Sequence, residues 1–272
     1  MSLHNRRAFV KGNDMIKTLY VNGCSHTAGV ELDSWENGGP SWPKDGTIQE
    51  IPQHCYNDSW ANTMGRNLNV ETIINNAIPG SSNDHILQST INFIQKHKNK
   101  DELFVLIGWT GSDRLFLESD EPGDNKFLNH YMFIPGLLGA KKSKNVVPMK
   151  DKHEIMYKEL LRTHWGSWTE MQYRTILQHF TLQSFLQKHN IKHLFINMLF
   201  DFDMHKINKV PKLNALYNLL DRRNIYKECY FDRFKKDPNT VWNPNQHVGQ
   251  PGQNEFAKEV HNYIKENDLL LR

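Results

Sequence analysis

A serine in a glycine-flanked turn is the first residue whose chemistry stands out. Ser25 lies in the segment LYVNGCSHTAGVE (19–31), where an apolar run ends in small polar residues. A serine hydroxyl is hardly ionised at neutral pH, so it needs a neighbouring base before it can attack an ester. The segment therefore has two interpretations, in which Ser25 is either an activated nucleophile or the N-cap of the next helix.

His247 is a candidate for that base. It lies in the segment NPNQHVGQPGQNEFA, on a loop immediately before a predicted C-terminal helix. Imidazole is the side chain that most often acts as general base near neutral pH. A late histidine on a loop suits this role if the fold brings the loop to Ser25.

The elements that must position these residues follow an α/β pattern. Short apolar runs bounded by turn residues predict buried strands: TLYVNG (18–23), VETIINNA (70–77), LFVLIGW (103–109), HLFINML (193–199) and, more weakly, ECYF (228–231). Helical patterns lie between and after them, near 57–68, 83–97, 168–189, 211–222 and 252–267. Asp58 or Asn57 is the expected N-cap of the first, and Asn83 or Ser82 of the second. Alternation of strands and helices predicts a parallel sheet covered on both faces.

The pattern predicts one domain over residues 15–272, preceded by an extension over 1–14. A segment at about 115–160 interrupts the alternation of strands and helices, and it is too long for a simple connection. This insertion is interpreted either as a lid or substrate loop at the carboxyl edge of the sheet, or as a disordered or interface loop.

Three predicted strands end in small or polar residues. The first ends at Gly23 to Thr27, the second leads into Gly80, and the third into Thr110 and Ser112. Ligands of open parallel sheets bind outside the carboxyl ends of the strands. These residues are therefore expected to share one cleft.

The segments GCSHT, NNAIPGSSN, LIGWTGSDR and NQHVGQPGQNEFA resemble, in this order, the conserved blocks of the SGNH (GDSL-like) hydrolases. The resemblance implies a flavodoxin-like three-layer α/β/α fold with a five-stranded parallel sheet. It implies Ser25 as nucleophile, His247 as base, and the backbone N–H groups of Ser25 and Gly80 as oxyanion donors. The third block also looks like a subgroup common in phage and marine microbial sequences.

Two positions depart from the family's pattern. The third block usually supplies an asparagine, whereas this chain has Thr110, with Asn83 or Ser112 as other candidate donors. The acid that orients the histidine usually lies two or three residues before it, where this chain has Asn245 and Pro244. Asn245 can hold the imidazole but cannot offset its positive charge. The chain is thus predicted to use a Ser–His dyad or a displaced acid, with Asp201, Asp232 and Asp237 as candidates.

Composition bounds the remaining possibilities. The 272 residues carry 33 Lys+Arg and 30 Asp+Glu, a formal charge of +3 that is too small and scattered to indicate a nucleic-acid partner. No apolar run approaches the ~18 residues of a membrane span, and the N-terminus lacks the apolar core of a secretory signal. Three cysteines without a CxxC pair favour a reducing compartment.

We therefore expect a cytoplasmic ester hydrolase without cofactor or metal, acting on a small-molecule or carbohydrate O-acyl ester. The oligomeric state is not predicted. The alternative is a catalytically weak or inactive binding or structural module with the same fold, such as a virion component. The departure at Asn245 is the feature that separates the two.

Overall fold

The computed structural model describes residues 16–30, 32, 53–118, 130–133, 159, 167–243 and 246–270. The predicted extension over 1–14, most of the predicted insertion over 115–160, and Asn245 lie outside the described residues.

Four parallel strands form the central sheet. They are β1 (Thr18–Asn22), β2 (Thr72–Asn75), β3 (Leu103–Trp109) and β6 (Lys192–Asn197). Their order is β2-β1-β3-β6, with all three pairings parallel. Two further strands, which lie between β3 and β6 in the chain, form a separate hairpin. Every residue of β3 is buried, as expected for a central strand that is covered on both faces.

The hairpin lies within the segment that the sequence marks as an insertion. Its strands β4 (Leu115–Glu118) and β5 (His130–Phe133) pair antiparallel and form a sheet of their own. Its role as a lid or substrate loop stays a prediction.

Nine α-helices accompany the strands in the described part of the chain. They are α1 (Ser25–Ala28), α2 (Gln53–Asp58), α3 (Trp60–Asn67), α4 (Asn83–Lys96), α5 (Trp168–Lys188), α6 (Met204–Ile207), α7 (Pro211–Tyr217), α8 (Tyr230–Lys235) and α9 (Gln250–Glu266). None of these helices is long and apolar enough to cross a membrane.

The sheet separates two apolar clusters. Alternate strand residues such as Leu19 and Leu106 pack with α3 and α9 on one face. Their neighbours Tyr20 and Val105 pack with α4, α5 and α7 on the other. This alternation follows from the two-residue period of a strand, and it produces the predicted α/β/α layers.

The predicted fifth strand at 228–231 is wrong. Tyr230 begins helix α8, and the fifth position of the sheet is reduced to one parallel bridge between Phe195 and Ile225. Tyr230 and Phe234 are both buried at a spacing of four residues, which is the period of a helix face. The apolar run was too short to separate this pattern from that of a strand.

One of the two N-cap predictions is confirmed. The hydroxyl of Ser82 accepts the N–H of His85 at the start of α4. At α3 the cap is Ser59, which accepts the N–H of Asn62, rather than Asp58 or Asn57. Those two residues belong to α2, a helical turn that the sequence pattern did not separate from α3.

Candidate active site

The turn after β1 carries Ser25. Cys24 is the N-cap of α1 and makes no side-chain capping bond, so Ser25 is the first helical residue and not the cap. Ser25 is 8% exposed, a hydroxyl at the margin of the core. Its position at the carboxyl end of a central strand is where ligands of open α/β sheets bind.

Two glycines let this turn pack against the neighbouring strand. A Cβ on Gly23 would approach the Gly108 carbonyl oxygen to 2.9 Å and would also collide with the Thr27 side chain. A Cβ on Gly108 would collide with Thr27 Oγ1. The Ser25 turn therefore lies directly against the end of β3 because neither glycine has a side chain.

A buried asparagine fixes the start of the same turn. Asn22 Oδ1 accepts the N–H of Gly23 at 2.8 Å, and Asn22 Nδ2 donates to Ser89 and Thr90 of α4 at 2.8 and 2.9 Å. Asn22 is not among the site residues predicted from the sequence. A polar residue at the end of the apolar run TLYVN was the available signal.

Gly80 lies in a tight turn beside the Ser25 segment. The Ser81 N–H donates to the Ile78 carbonyl at 3.1 Å, and Gly80 has φ 77°, which favours glycine. The Ile78 N–H donates to the Gly23 carbonyl at 3.0 Å. The turn that carries Gly80 is thus hydrogen-bonded to the turn that carries Ser25.

Asn83 and Thr110 form a reciprocal clamp between the second and third segments. The Thr110 N–H donates to Asn83 Oδ1 at 2.8 Å, and Asn83 Nδ2 donates to the Thr110 carbonyl at 3.2 Å. Both residues are buried, and Thr110 Oγ1 has no hydrogen-bond partner. In this arrangement Asn83 orients the backbone of Thr110, and the Thr110 hydroxyl is left as an unused donor.

His247 is presented by a hairpin that precedes α9. Trp242 and Val248 form an antiparallel bridge, and the Asn243 N–H donates to the His247 carbonyl at 2.8 Å. The Gln246 N–H closes the turn on the Asn243 carbonyl at 2.9 Å, with Gln246 at φ 64°. Such a left-handed residue is typical of three-residue hairpin loops.

The hairpin brings His247 to the Ser25 turn. The rings of His26 and His247 have centroids 4.6 Å apart, and His247 is 8% exposed. Burial, with smaller contributions from His247 and Arg114, holds the pKa of His26 well below its ordinary value. A neutral His26 beside His247 does not repel the positive charge that a general base acquires.

Two of the candidate acids, Asp237 and Asp201, make contacts of their own. Asp237 accepts the N–H of Asn239 and lies 3.9 Å from Arg233. Asp201 accepts the N–H of Phe202, and desolvation of its carboxyl together with Asp232 raises its pKa. Asn245 lies outside the described residues, so its role beside His247 stays a prediction.

The four candidate segments therefore meet at the carboxyl edge of the sheet. Among the described residues, no group of three or more His, Cys, Asp or Glu side chains is arranged to hold a metal ion. The reach between Ser25 Oγ and a ring nitrogen of His247, direct or through one water, stays a prediction.

The architecture of the chain is similar to that of several solved structures. The chain is 11% identical to TesA, with 92% of this chain and 99% of that chain covered and a TM-score of 0.50. The psychrotrophic esterase EstA from Pseudoalteromonas sp. is 11% identical, with coverage of 92% and 97% and a TM-score of 0.46. A family two carbohydrate esterase from Clostridium thermocellum, in complex with cellohexaose, is 12% identical, with coverage of 94% and 66% and a TM-score of 0.47. At such identities the likeness shows the fold alone.

The chain belongs to a family of unknown function (DUF6071), whose model matches residues 45–271. No curated protein matches it.

Proposed function

We propose that this protein is a serine-dependent ester hydrolase that works through an acyl-enzyme. The observation that carries the proposal is the 4.6 Å separation of the His26 and His247 rings, because His26 directly follows Ser25 in the first turn of α1. A histidine from the C-terminal hairpin thereby reaches the turn that holds the candidate nucleophile. The fold, which is that of SGNH hydrolases, supports the same assignment.

In the proposed reaction Ser25 Oγ attacks the acyl carbonyl while His247 takes its proton. The negative charge on the carbonyl oxygen is met by the N–H groups of Ser25 and Gly80, with the Thr110 hydroxyl as third donor. His247 then gives the proton to the leaving alcohol. Water, deprotonated by His247, attacks the acyl-enzyme, and His247 returns that proton to Ser25 Oγ as the bond to the acyl group breaks and the acid leaves.

Each donor has a structural support. The hydrogen bond between Ile78 and Gly23 holds the Gly80 turn against the Ser25 turn, and Asn83 holds the backbone of Thr110 from both sides. Preorganised donors of this kind stabilise the transition state because they need no rearrangement when charge develops. We assign Asn83 to positioning and Thr110 to donation.

The proposed substrate is a small or carbohydrate O-acyl ester, and no step requires a cofactor. A cytoplasmic location and membership of the phage and marine microbial subgroup remain predictions.

The test compares p-nitrophenyl acetate turnover by the wild type, Ser25→Ala and Ser184→Ala. Ser184 lies in the last turns of α5, which leads to the amino end of β6. Ser184→Ala therefore removes a hydroxyl that is far from the candidate site. We expect turnover in the wild type and Ser184→Ala and its loss in Ser25→Ala. Equal turnover in all three would contradict the proposal, and no turnover in any would favour the binding or structural module.

A further inference from the structure

Arg114 places a positive charge beside the candidate oxyanion donors. Its Nη1 lies 3.4 Å from the carbonyl of Ser81, the residue that directly follows Gly80. Arg114 is only partly buried, and among the described residues no carboxylate lies within ion-pair distance of its guanidinium. Within the part of the chain that the structure describes, this guanidinium has no ionic partner, and we infer that it is available to a ligand.

The backbone that carries Arg114 is held in place by a second arginine. Arg174 Nη2 donates to the carbonyls of Ser112 at 3.1 Å and Arg114 at 3.0 Å. Arg174 comes from helix α5, so the loop after β3 is tied to the helical layer. The position of Arg114 at the edge of the cleft is therefore built into the fold.

Two nearby carboxylates have contacts other than Arg114. The Asp84 carboxylate accepts a hydrogen bond from Gln178, and that of Asp113 lies over Gly111. Helix α4 begins at Asn83 with its N-terminus toward the same turn, and a helix N-terminus carries partial positive charge. After burial and His247, Arg114 also contributes to lowering the pKa of His26, which directly follows Ser25.

We propose that Arg114 binds a carboxylate of the substrate, so that the preferred esters are anionic and carry this group near the scissile bond. The inference rests on the proposed function and specifies its substrate class. A single guanidinium matches a singly charged carboxylate, which it can bind through two parallel N–H donors. An uncharged ester of the same shape would leave this cation unpaired.

The test measures kcat/KM for two pairs of activated esters in wild type, Arg114→Gln and Arg114→Lys. One pair is mono-p-nitrophenyl adipate and p-nitrophenyl hexanoate, with the charge on the acyl side. The other is p-acetoxybenzoate and its methyl ester, with the charge on the alcohol side. Lys98→Gln is the matched control, because it removes an exposed cation from the connection that leads to the amino end of β3.

The quantity compared is the ratio of anionic to neutral kcat/KM, in which the intrinsic reactivity of each ester cancels between variants. We expect Arg114→Gln to lower this ratio roughly tenfold in at least one pair. Arg114→Lys should retain part of it, and Lys98→Gln all of it. If Arg114→Gln does not fold, the wild-type ratio should still fall as sodium chloride screens the charge.

An unchanged ratio in both pairs, or a wild-type ratio that does not respond to salt, would overturn the inference. Equal losses on neutral and anionic esters would also overturn it, since they would make Arg114 a general oxyanion or structural group. If the wild type hydrolyses none of the four esters, the proposed function fails. If the wild type hydrolyses anionic and neutral esters and Arg114→Gln leaves their kcat/KM ratio unchanged, only the proposed role of Arg114 is contradicted.

Discussion

At the scale of single residues, the Thr110 hydroxyl is the proposed third oxyanion donor. It is completely buried and has no hydrogen-bond partner, which costs about 1–3 kcal/mol for a typical buried polar group. Its backbone is held on both sides by Asn83. A donor kept unpaired in a fixed backbone has a functional explanation if a substrate oxygen supplies the missing acceptor.

Thr110→Val should therefore separate activity from stability. Valine keeps the shape and removes an unpaired hydroxyl, so the free energy of unfolding should stay the same or rise slightly. The kcat should fall about tenfold or more, at the weak end of the effect of removing an oxyanion donor, because a hydroxyl is a looser donor than an amide. Urea unfolding and p-nitrophenyl acetate kinetics measure the two quantities.

Thr175→Val is the control, since Thr175 Oγ1 is also buried without a partner but lies within helix α5. This variant should keep full kcat. An unchanged kcat in Thr110→Val would reassign the third donor to Asn83 or Ser112.

The residue that supports His247 defines a second prediction. Asparagine can orient an imidazole but cannot stabilise its charged form, and exchange of a triad Asp for Asn costs about 10⁴ in kcat in a serine protease. If Asn245 fills this position, Asn245→Asp should raise kcat/KM on an activated ester, most clearly near neutral pH. Asn239→Asp, which adds the same charge after α8, should bring no such gain. Robust wild-type turnover without any increase in Asn245→Asp would indicate a displaced acid instead.

Residues at strand ends could be predicted from the sequence, whereas their supports could not. Ser25, Gly80 and Thr110 stand out because each follows an apolar run, and the structure places their segments together. The clamp of Asn83 on Thr110 and the hydrogen bond from Arg114 to Ser81 join residues 27 and 33 positions apart. Only the fold determines which of many polar residues meet across such separations.

At the scale of elements, the contact between the Ser25 turn and β3 depends on missing side chains. Gly108→Ala would place a Cβ against Thr27 Oγ1 and 3.0 Å from the side chain of Met198. Overpacking of this kind typically costs about 1–3 kcal/mol. Gly108→Ala should therefore lower the free energy of unfolding by that amount, measured by urea denaturation.

A double-mutant cycle with Thr27→Ala shows whether this collision is the cause. Thr27→Ala removes the atom that the new methyl group would meet, so the penalty of Gly108→Ala should be smaller in that background. Identical penalties in both backgrounds would contradict the packing account of the turn.

Element boundaries also mark where sequence patterns reach their limit. The central strands were clear because both faces of the sheet are covered and the runs are continuously apolar. The segment at 228–231 does not reveal a helix, because the buried pair Tyr230 and Phe234 is complete only three residues beyond its end. The bridge between Phe195 and Ile225 leaves no apolar run for a pattern to detect.

At the scale of the whole molecule, buried histidines make stability depend on pH. Burial lowers the pKa of His179 to about 4, and it also lowers those of His26 and His193. Below pH 6.5, the ordinary pKa of histidine, these imidazoles bind protons in the unfolded chain but stay neutral in the folded chain. The free energy of unfolding therefore decreases as pH falls. His179 alone should account for ~3 kcal/mol between pH 6.5 and 4.

Urea denaturation across this pH range should show a smaller loss of unfolding free energy for His179→Phe than for the wild type. His205→Gln, a change at an exposed histidine, should keep the wild-type slope. Parallel curves for wild type and His179→Phe would contradict the assignment of a neutral buried imidazole.

The most direct test of the central claim is covalent labelling of Ser25. A fluorophosphonate reacts with a serine only where a base and oxyanion donors activate it, so it reports the assembled site without a choice of substrate. Wild-type protein and Ser184→Ala should each gain one label, located by mass spectrometry on the peptide that contains Ser25, and Ser25→Ala should gain none. Absence of label from the folded wild type, or label on another serine that persists in Ser25→Ala, would contradict the account.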